Sequence, residues 1–287
     1  MKIALTGGTG YIGSALLGQL VAAGHTVTAL VRNDEAAAKA RKAGAESAVG
    51  DLFDPSWTAE RFAAADGVVH TAATGDARNP EFDRSVVRAA VQALAGTGKP
   101  YVHTSGIWVY GDNADITEDS PFAPPGITAW RAEVERAVLD ADLVATIVTP
   151  GIVYGHGGGI PAGVIAAQRD EAGRVRLVGD GGQHWTTIHV EDVAALYVTV
   201  VERRERLGYV IAASGVNPTV RELAEAAAGT AGVAPETADA SRERLGAPFA
   251  EALLLDQQTR AAKAKALGWT PTRPTLVEEL RSGSYTH

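Results

Sequence analysis

Four glycines, Gly7, Gly8, Gly10 and Gly13, crowd the stretch "KIALTGGTGYIGSALL" between a short apolar run and an amphipathic one. Backbone amides bared by glycine at the start of a helix bind a diphosphate, because the amide dipoles point at it and no side chain stands in the way. Gly7 permits the tight turn, Gly10 lets the backbone approach the phosphates, and Gly13 lets the helix pack closely on the strand. With Thr9, Tyr11 and Ile12 of the same turn, they form the expected cradle for a dinucleotide. A second strand arriving about 20 residues later completes the fingerprint. That strand ends at Arg32, with no carboxylate on it. A carboxylate there would accept from a ribose 2′-hydroxyl, whereas a guanidinium offers a charged fork to a 2′-phosphate. The expected cofactor is therefore NADP(H), with NAD second; the alternative for Arg32 is a solvated cation. Asp51 and Leu52, after the third strand, suit an adenine edge or a plain exposed turn.

The elements that must hold these residues alternate along the chain. Short apolar runs, "KIAL", "TVTALVR", "SAVGD", "GVVHTAA", "YVHTS" and "VATIVTPGIVYG", are separated by helical patterns such as "DEAAAKARKAG" and "DRSVVRAAVQALAG". That alternation signals parallel β-strands joined by crossover helices, with the sheet covered on both faces. "PPGITAWRAEVERAVLDA" reads as a helix from residue 124, and the glycine-rich span from His156 to Gln183 as an irregular lobe or lid. "TTIHVEDVAALYVTVVERR" turns from strand to helix, "YVIAAS" is a late strand, and the remainder is mostly helical.

Composition narrows the classes. The chain has 287 residues, 46% hydrophobic and 21% charged, with a net charge of −8, and its isoelectric point is near 5.4. A nucleic-acid partner is disfavoured by that charge. There is no cysteine, which removes disulfides, thiolate catalysis and cysteine-bound metals. Histidines and carboxylates do not cluster at metal-ligand spacing, so no metal is expected. No apolar run approaches the ~20 residues that cross a bilayer, and the first residues leave no room for a signal peptide. The expectation is a cytoplasmic protein without a membrane partner.

"TGGTGYIG", "GDLFD", "VVHTAA", "YVHTSGIWVYGD", "PGIVYG", "TTIHVEDVA" and "LGWTPTRPTLVEEL", in this order, resemble the extended short-chain dehydrogenase/reductase family, also described as the NAD-dependent epimerase/dehydratase family. The resemblance implies an α/β fold, a doubly wound parallel Rossmann sheet with a smaller C-terminal substrate lobe. Residues 1–155 plus 186–213 would form the dinucleotide-binding core, and 156–185 plus 214–287 the lobe. It implies that Thr71, Ala72 and Ala73 line the cofactor, that Pro150, Gly151 and Val153 shape its nicotinamide end, and that the chain pairs into a homodimer.

Chemistry in that family rests on a Ser or Thr after the fifth strand and a Tyr-x-x-x-Lys on the next helix. Aligned on "VYG" and on Glu135, those positions hold Gly106, Ile127 and Arg131. No lysine lies between Lys99 and Lys263, and no tyrosine between Tyr110 and Tyr154. Stand-ins are few. Arg131 can hold a ribose by hydrogen bonds but is far too weak an acid to transfer a proton; a surface arginine is the alternative. Thr104 and Ser105 offer hydroxyls that orient a carbonyl or bond local backbone. Tyr154 and Tyr110 are the nearest phenols, with packing as the alternative. His70, His103 and His189 titrate near neutrality, though the first two sit on apolar strands. Trp108, Trp130 and Trp185 would wall a substrate site for an apolar or aromatic small molecule, or belong to the core.

The reading that follows is an NAD(P)-dependent oxidoreductase reducing a small hydrophobic carbonyl, imine or enone with a non-standard proton donor. The alternative is an NADP(H)-binding redox sensor without turnover. Sugar-nucleotide epimerisation or dehydration ranks last, because it needs the missing phenolate.

Overall fold

Residues 1–285 are described by the computed structural model, and contacts divide them into two compact units. The first comprises Met1–Ser105, Trp130–Val148 and Ala194–Val210. Its seven-stranded sheet begins with β1 (Lys2–Thr6), β2 (Thr26–Val31), β3 (Glu46–Val49), β4 (Gly67–His70) and β5 (Pro100–Thr104), followed by strands Val144–Pro150 and Gly208–Ala212. Across the sheet the order is Gly208–Ala212, Val144–Pro150, β5, β4, β1, β2, β3. Register is parallel from β3 through to Val144–Pro150. Strand order reverses between β1 and β4, and ligands of doubly wound sheets bind beyond the strand C-termini at such a switch point.

Helices α1 (Tyr11–Ala22), α2 (Asp34–Lys42), α3 (Pro55–Ala63), α4 (Asn79–Leu94) and α5 (Arg131–Asp140) accompany the strands. The sequence reading passed over α3. Its signal is local: Asp54 accepts from Ser56 N at 2.9 Å and Trp57 N at 3.2 Å, and Pro55 takes the first turn, where its missing N–H costs nothing. Phe62 of α3 and Phe82, Val86 and Ala90 of α4 are buried in one cluster with Val68 and Tyr101.

Two expectations change. The helix expected from residue 124 begins only at Arg131. Pro124 and Pro125 remove amide donors and hold the chain out of helical geometry; tight turns follow, with Thr128 N bonding Pro125 O at 2.9 Å. Ile127 therefore precedes the helix and is 39% exposed. The run "VATIVTPGIVYG" is likewise not one strand. It breaks at Gly151, whose amide bonds Ala212 O at 2.9 Å, and Ile152–Gly155 enters a separate three-stranded sheet with Thr187–His189 and Gly158–Gly159.

That small sheet belongs to the second unit, Gly106–Ala129, Thr149–Val193 and Ile211–His287. Residues 106–129, 149–155, 186–193 and 211–213 thus group with the lobe residues rather than with the core expected from sequence. Pairing of Ile152–Gly155 with Thr187–His189 accounts for two of these spans. Burial of Ile107, Val109 and Tyr110 with Ile211, Ala213 and Ala261 accounts for the other two. The unit's main core gathers Tyr154, Ile165, Leu177, Trp185, Leu223, Leu253 and Leu276. Its helices Val220–Ala228 and Leu276–Ser282 both start on a capping box, Thr219 with Glu222 and Thr275 with Glu278. The span from His156 to Gln183, expected to be irregular, includes a π-helical turn at Ala162–Ala166. Among the described residues no helix is long and apolar enough to cross a membrane.

Candidate functional site

Chain ends of β1 to β4 meet in the first unit around a cavity of about 610 Å³. After β1 come Gly7, Thr9 and Gly10, after β2 Arg32 and Asn33, after β3 Asp51 and Leu52, and after β4 Thr71, Ala72 and Ala73. Residues separated by up to 75 positions, Gly7 and Phe82, are thereby brought into one lining. Gly7 has φ +75, and a Cβ there would lie 2.6 Å from Ala72 N, so both conformation and closeness demand glycine. At Gly13 a Cβ would lie 2.0 Å from Gly7 O. Gly13 accordingly sits behind the loop as a packing residue, and neither it nor Tyr11 nor Ile12 lines the cavity.

Gly10 caps α1 without a side-chain bond, whereas Asn33 caps α2 and Asp54 caps α3 through their side chains. The start of α1 thus presents backbone dipoles with no side-chain oxygen placed over them, the arrangement suited to an anion. Positive charge is supplied by Arg32, Lys39 and Arg78 on the same lining. Lys39 pairs with Glu35 at 2.8 Å, and Arg78 with Asp76 at 2.8 Å. The Asp76 carboxyl is pulled down to about 2, first by its hydrogen bond from the Arg78 side chain. Asp51 accepts from Phe53 N at 2.9 Å, closing its own turn. Sequence reasoning missed Asn33, Lys39, Thr74 and Arg78. The Asn33-Asp34 helix start was the available signal for the first two.

A dinucleotide diphosphate fits this lining, since Gly7 and Gly10 bring bare backbone to it and Arg32, Lys39 and Arg78 stand on the same wall.

A second cluster lies at the end of β5. Thr104 Oγ1 donates to His70 O at 2.6 Å and lies 2.7 Å from the Tyr197 hydroxyl, so it is engaged rather than free for a substrate. Arg131 Nη1 donates to Thr104 O at 2.9 Å, and its guanidinium stacks 4.8 Å from the Trp130 ring centroid. Arg131 is thus fixed by backbone and aromatic face, and 17% of its side chain stays exposed. One turn on, Glu135 is fully buried, with Oε1 4.0 Å from Arg131 Nη1. Burial pushes the Glu135 carboxyl up, against the Ser105 hydroxyl, Arg131 and Tyr209, which pull it down, while Asp83 adds to the rise. The Ser105 hydroxyl is buried without a completed hydrogen bond.

Neighbouring histidines are structural in their bonding. Thr6 Oγ1 lies 2.6 Å from His70 Nδ1, and His70 Nε2 lies 3.0 Å from Asp83 Oδ1. His103 is completely buried beside the Tyr101 hydroxyl at 3.1 Å. Burial, aided by the charges of His70 and Arg131 and opposed by Asp83, lowers His103 to about 3.

In the second unit, two expected site residues prove to be core. The Tyr154 phenol is 1% exposed and donates to Pro274 O at 2.7 Å; burial pushes its pKa up, so it is no ready acid. Trp185 is 2% exposed, its indole N–H donating to Leu253 O at 2.9 Å. Trp108 is half-buried, edge-on to Phe249 with ring centroids 6.1 Å apart. Pro150 and Gly151 are buried and Val153 is half-buried; a Cβ on Gly151 would meet Thr186 O at 2.6 Å. Among the described residues no group of three or more His, Asp or Glu is placed to hold a metal ion.

Strand order, glycine turn and bare helix start define a Rossmann-type α/β protein of the doubly wound class. The chain belongs to the NAD dependent epimerase/dehydratase family, whose model matches residues 3–212. It is 30% identical to "Uncharacterized protein C2A9.02" of Schizosaccharomyces pombe, over 99% of this chain and 100% of that one. It is 34% identical to the "4-hydroxy-2-methyl-3-oxo-4-farnesyl-3,4-dihydroquinoline-1-oxide ketoreductase" of Stigmatella aurantiaca, over 71% of this chain and 65% of that one. A crystal structure of the human epimerase family protein SDR39U1 with NADPH superposes with a TM-score of 0.71 at 21% identity, covering 99% of each chain.

Proposed function

We propose that this protein is an NADPH-dependent reductase of a small apolar or aromatic carbonyl, imine or enone. The carrying observation is Arg32 at the end of β2, on one lining with Lys39 and the glycine turn. The Arg32 guanidinium there favours a ribose 2′-phosphate over a 2′-hydroxyl. Glu35 shares the lining but is already paired with Lys39. A ketoreductase among the relatives supports reduction as the chemistry.

Bound in this cradle, the coenzyme would supply the hydride. The amides from Gly7 to Gly10 and the start of α1 bind the diphosphate, and Arg32 the 2′-phosphate. Arg131, held by Thr104 O and Trp130, keeps the rest of its fork for an oxygen of ribose or substrate, which it orients without giving up a proton. The wall presented by Trp130 suits an apolar ligand. A homodimer and the absence of a nucleic-acid partner stay part of this reading.

Calorimetric titration is expected to show NADPH binding at least ~10-fold tighter than NADH, with the difference lost in Arg32→Ala. Equal affinities, or tighter NADH, would overturn the preference. A second reading, a coenzyme-binding sensor, is favoured by the engagement of the Thr104 and Tyr154 hydroxyls. Bound NADPH that reduces nothing in a panel of ketones, imines and enones, with NADPH and NADP⁺ stabilising the fold unequally, would select it.

A further inference from the structure

Glu135 and Ser105 form a buried polar pair that structural needs alone do not explain. Neither Glu135 carboxylate oxygen accepts a completed hydrogen bond, and the Ser105 hydroxyl also lacks one. The groups facing the carboxyl are the Ser105 hydroxyl at the end of β5, Arg131 on α5 itself, Tyr209 on the strand Gly208–Ala212 and Asp83 on α4. Arg131 is the nearest charge, at 4.0 Å, with its Nη1 bond already spent on Thr104 O. An ionised carboxylate buried without hydrogen bonds costs several kcal/mol. A protonated one is far cheaper and becomes a donor.

We infer that Glu135 stores the proton for the reduction and passes it on through Ser105. The inference rests on the reductase reading. As hydride reaches the carbonyl carbon, the Ser105 hydroxyl gives its proton to the carbonyl oxygen and the carbon–oxygen π bond becomes an O–H bond. Glu135 reprotonates Ser105, leaving a carboxylate beside the Arg131 charge, and regains a proton from solvent. The balance is carbonyl plus NADPH plus one proton to alcohol plus NADP⁺. Ser105 is the catalytic hydroxyl, and Glu135 is a positioning residue that acts through it. Ser105 is 5% exposed, so the transfer takes place at a hydroxyl shielded from bulk water. Arg131 fits the scheme as the charge that steadies the carboxylate after transfer, a task an arginine performs without donating.

Infrared difference spectroscopy of the purified full chain, titrated from about pH 5 to 8, tests the store without any substrate. The carbonyl stretch of a protonated carboxylic acid should persist above the ordinary glutamate range in the wild type and in Ser105→Ala, and vanish in Glu135→Gln. With NADPH and an aryl methyl ketone, Glu135→Gln and Ser105→Ala should each lower kcat by about 100-fold or more. KM and coenzyme affinity should move less than about threefold. Glu135→Asp should recover part of the rate with a displaced alkaline limb in its pH profile, since the rate falls as the proton donor ionises. Absence of the band, or wild-type kcat and pH profile in Glu135→Gln, would overturn the inference. A band that disappears in Glu135→Gln, in a chain that reduces no ketone, would sink the reductase reading and leave the stored proton standing.

Discussion

A methyl group at Gly13 would meet the Gly7 carbonyl oxygen at 2.0 Å, whereas one at Gly10 would approach the same oxygen only to 3.2 Å. The two glycines therefore differ in kind. Gly13→Ala must push α1 off the loop, and overpacking of this sort costs about 1–3 kcal/mol. Gly10→Ala leaves the packing nearly intact but sets a side chain where a diphosphate would lie. We expect Gly13→Ala to lower the melting temperature by several degrees and Gly10→Ala by little, with both weakening NADPH about tenfold or more. Thermal melts with and without NADPH measure this; equal melting temperatures for the two variants would refute the assignment. The glycines were legible from sequence because their role is local. The hydroxyls were not: the Tyr154 phenol is occupied by a carbonyl 120 residues away and the Thr104 hydroxyl meets a phenol 93 residues away. No spacing rule reveals such partners.

Among the elements, α3 shows how a clear local signal escapes a reading that looks for apolar periodicity. "DPSW" holds an N-cap aspartate and a proline in the first turn, yet the nine-residue helix carries too few apolar positions to stand out. What it positions is considerable. The Trp57 ring lies where a Cβ on Gly50 would be, at 2.3 Å, and Gly50 lines the cavity. Removing the cap by Asp54→Ala should cost about 1 kcal/mol, read as a lower urea midpoint with unchanged slope. Coenzyme affinity should fall modestly as the β3 turn loosens. A changed slope, or no change in midpoint, would contradict the capping role. The helix opening at α5 was misplaced by sequence for the opposite reason. Apolar periodicity runs on through Ile127 and Trp130, but the paired prolines before them govern the backbone.

For the whole molecule, the parallel, doubly wound class of the sheet was legible in the alternating apolar and helical patterns, because parallel strands need a crossover helix between them. Separation of Ile152–Gly155 into a second sheet did not follow, since it depends on pairing with Thr187–His189. Buried ionisable groups within the first unit give the chain a pH-dependent stability with a calculable sign. His103 drops from 6.5 to about 3 through burial. Below pH 6.5 the unfolded chain takes up a proton that the folded chain refuses, so stability present above that pH is lost as pH falls toward 3. At about 1.4 kcal/mol per unit, the full loss is on the order of 4 to 5 kcal/mol, a large share of the ~5–15 kcal/mol that holds a typical domain folded. Asp83, lowered despite its burial by the His70 bond and by the charges of His70, His103 and Arg131, extends the loss to lower pH. Glu135 works the other way. Its carboxyl is raised by burial, so its contribution is complete below 4.5 and fades as pH rises. Urea midpoints measured at about pH 7, 5.5 and 4.5 should therefore fall steadily in the wild type. The fall should be shallower in His103→Gln, which removes the dominant group, and steeper in Glu135→Gln, which removes the opposing one. Parallel lines for all three proteins would place the acid sensitivity elsewhere in the chain and dismiss both assignments.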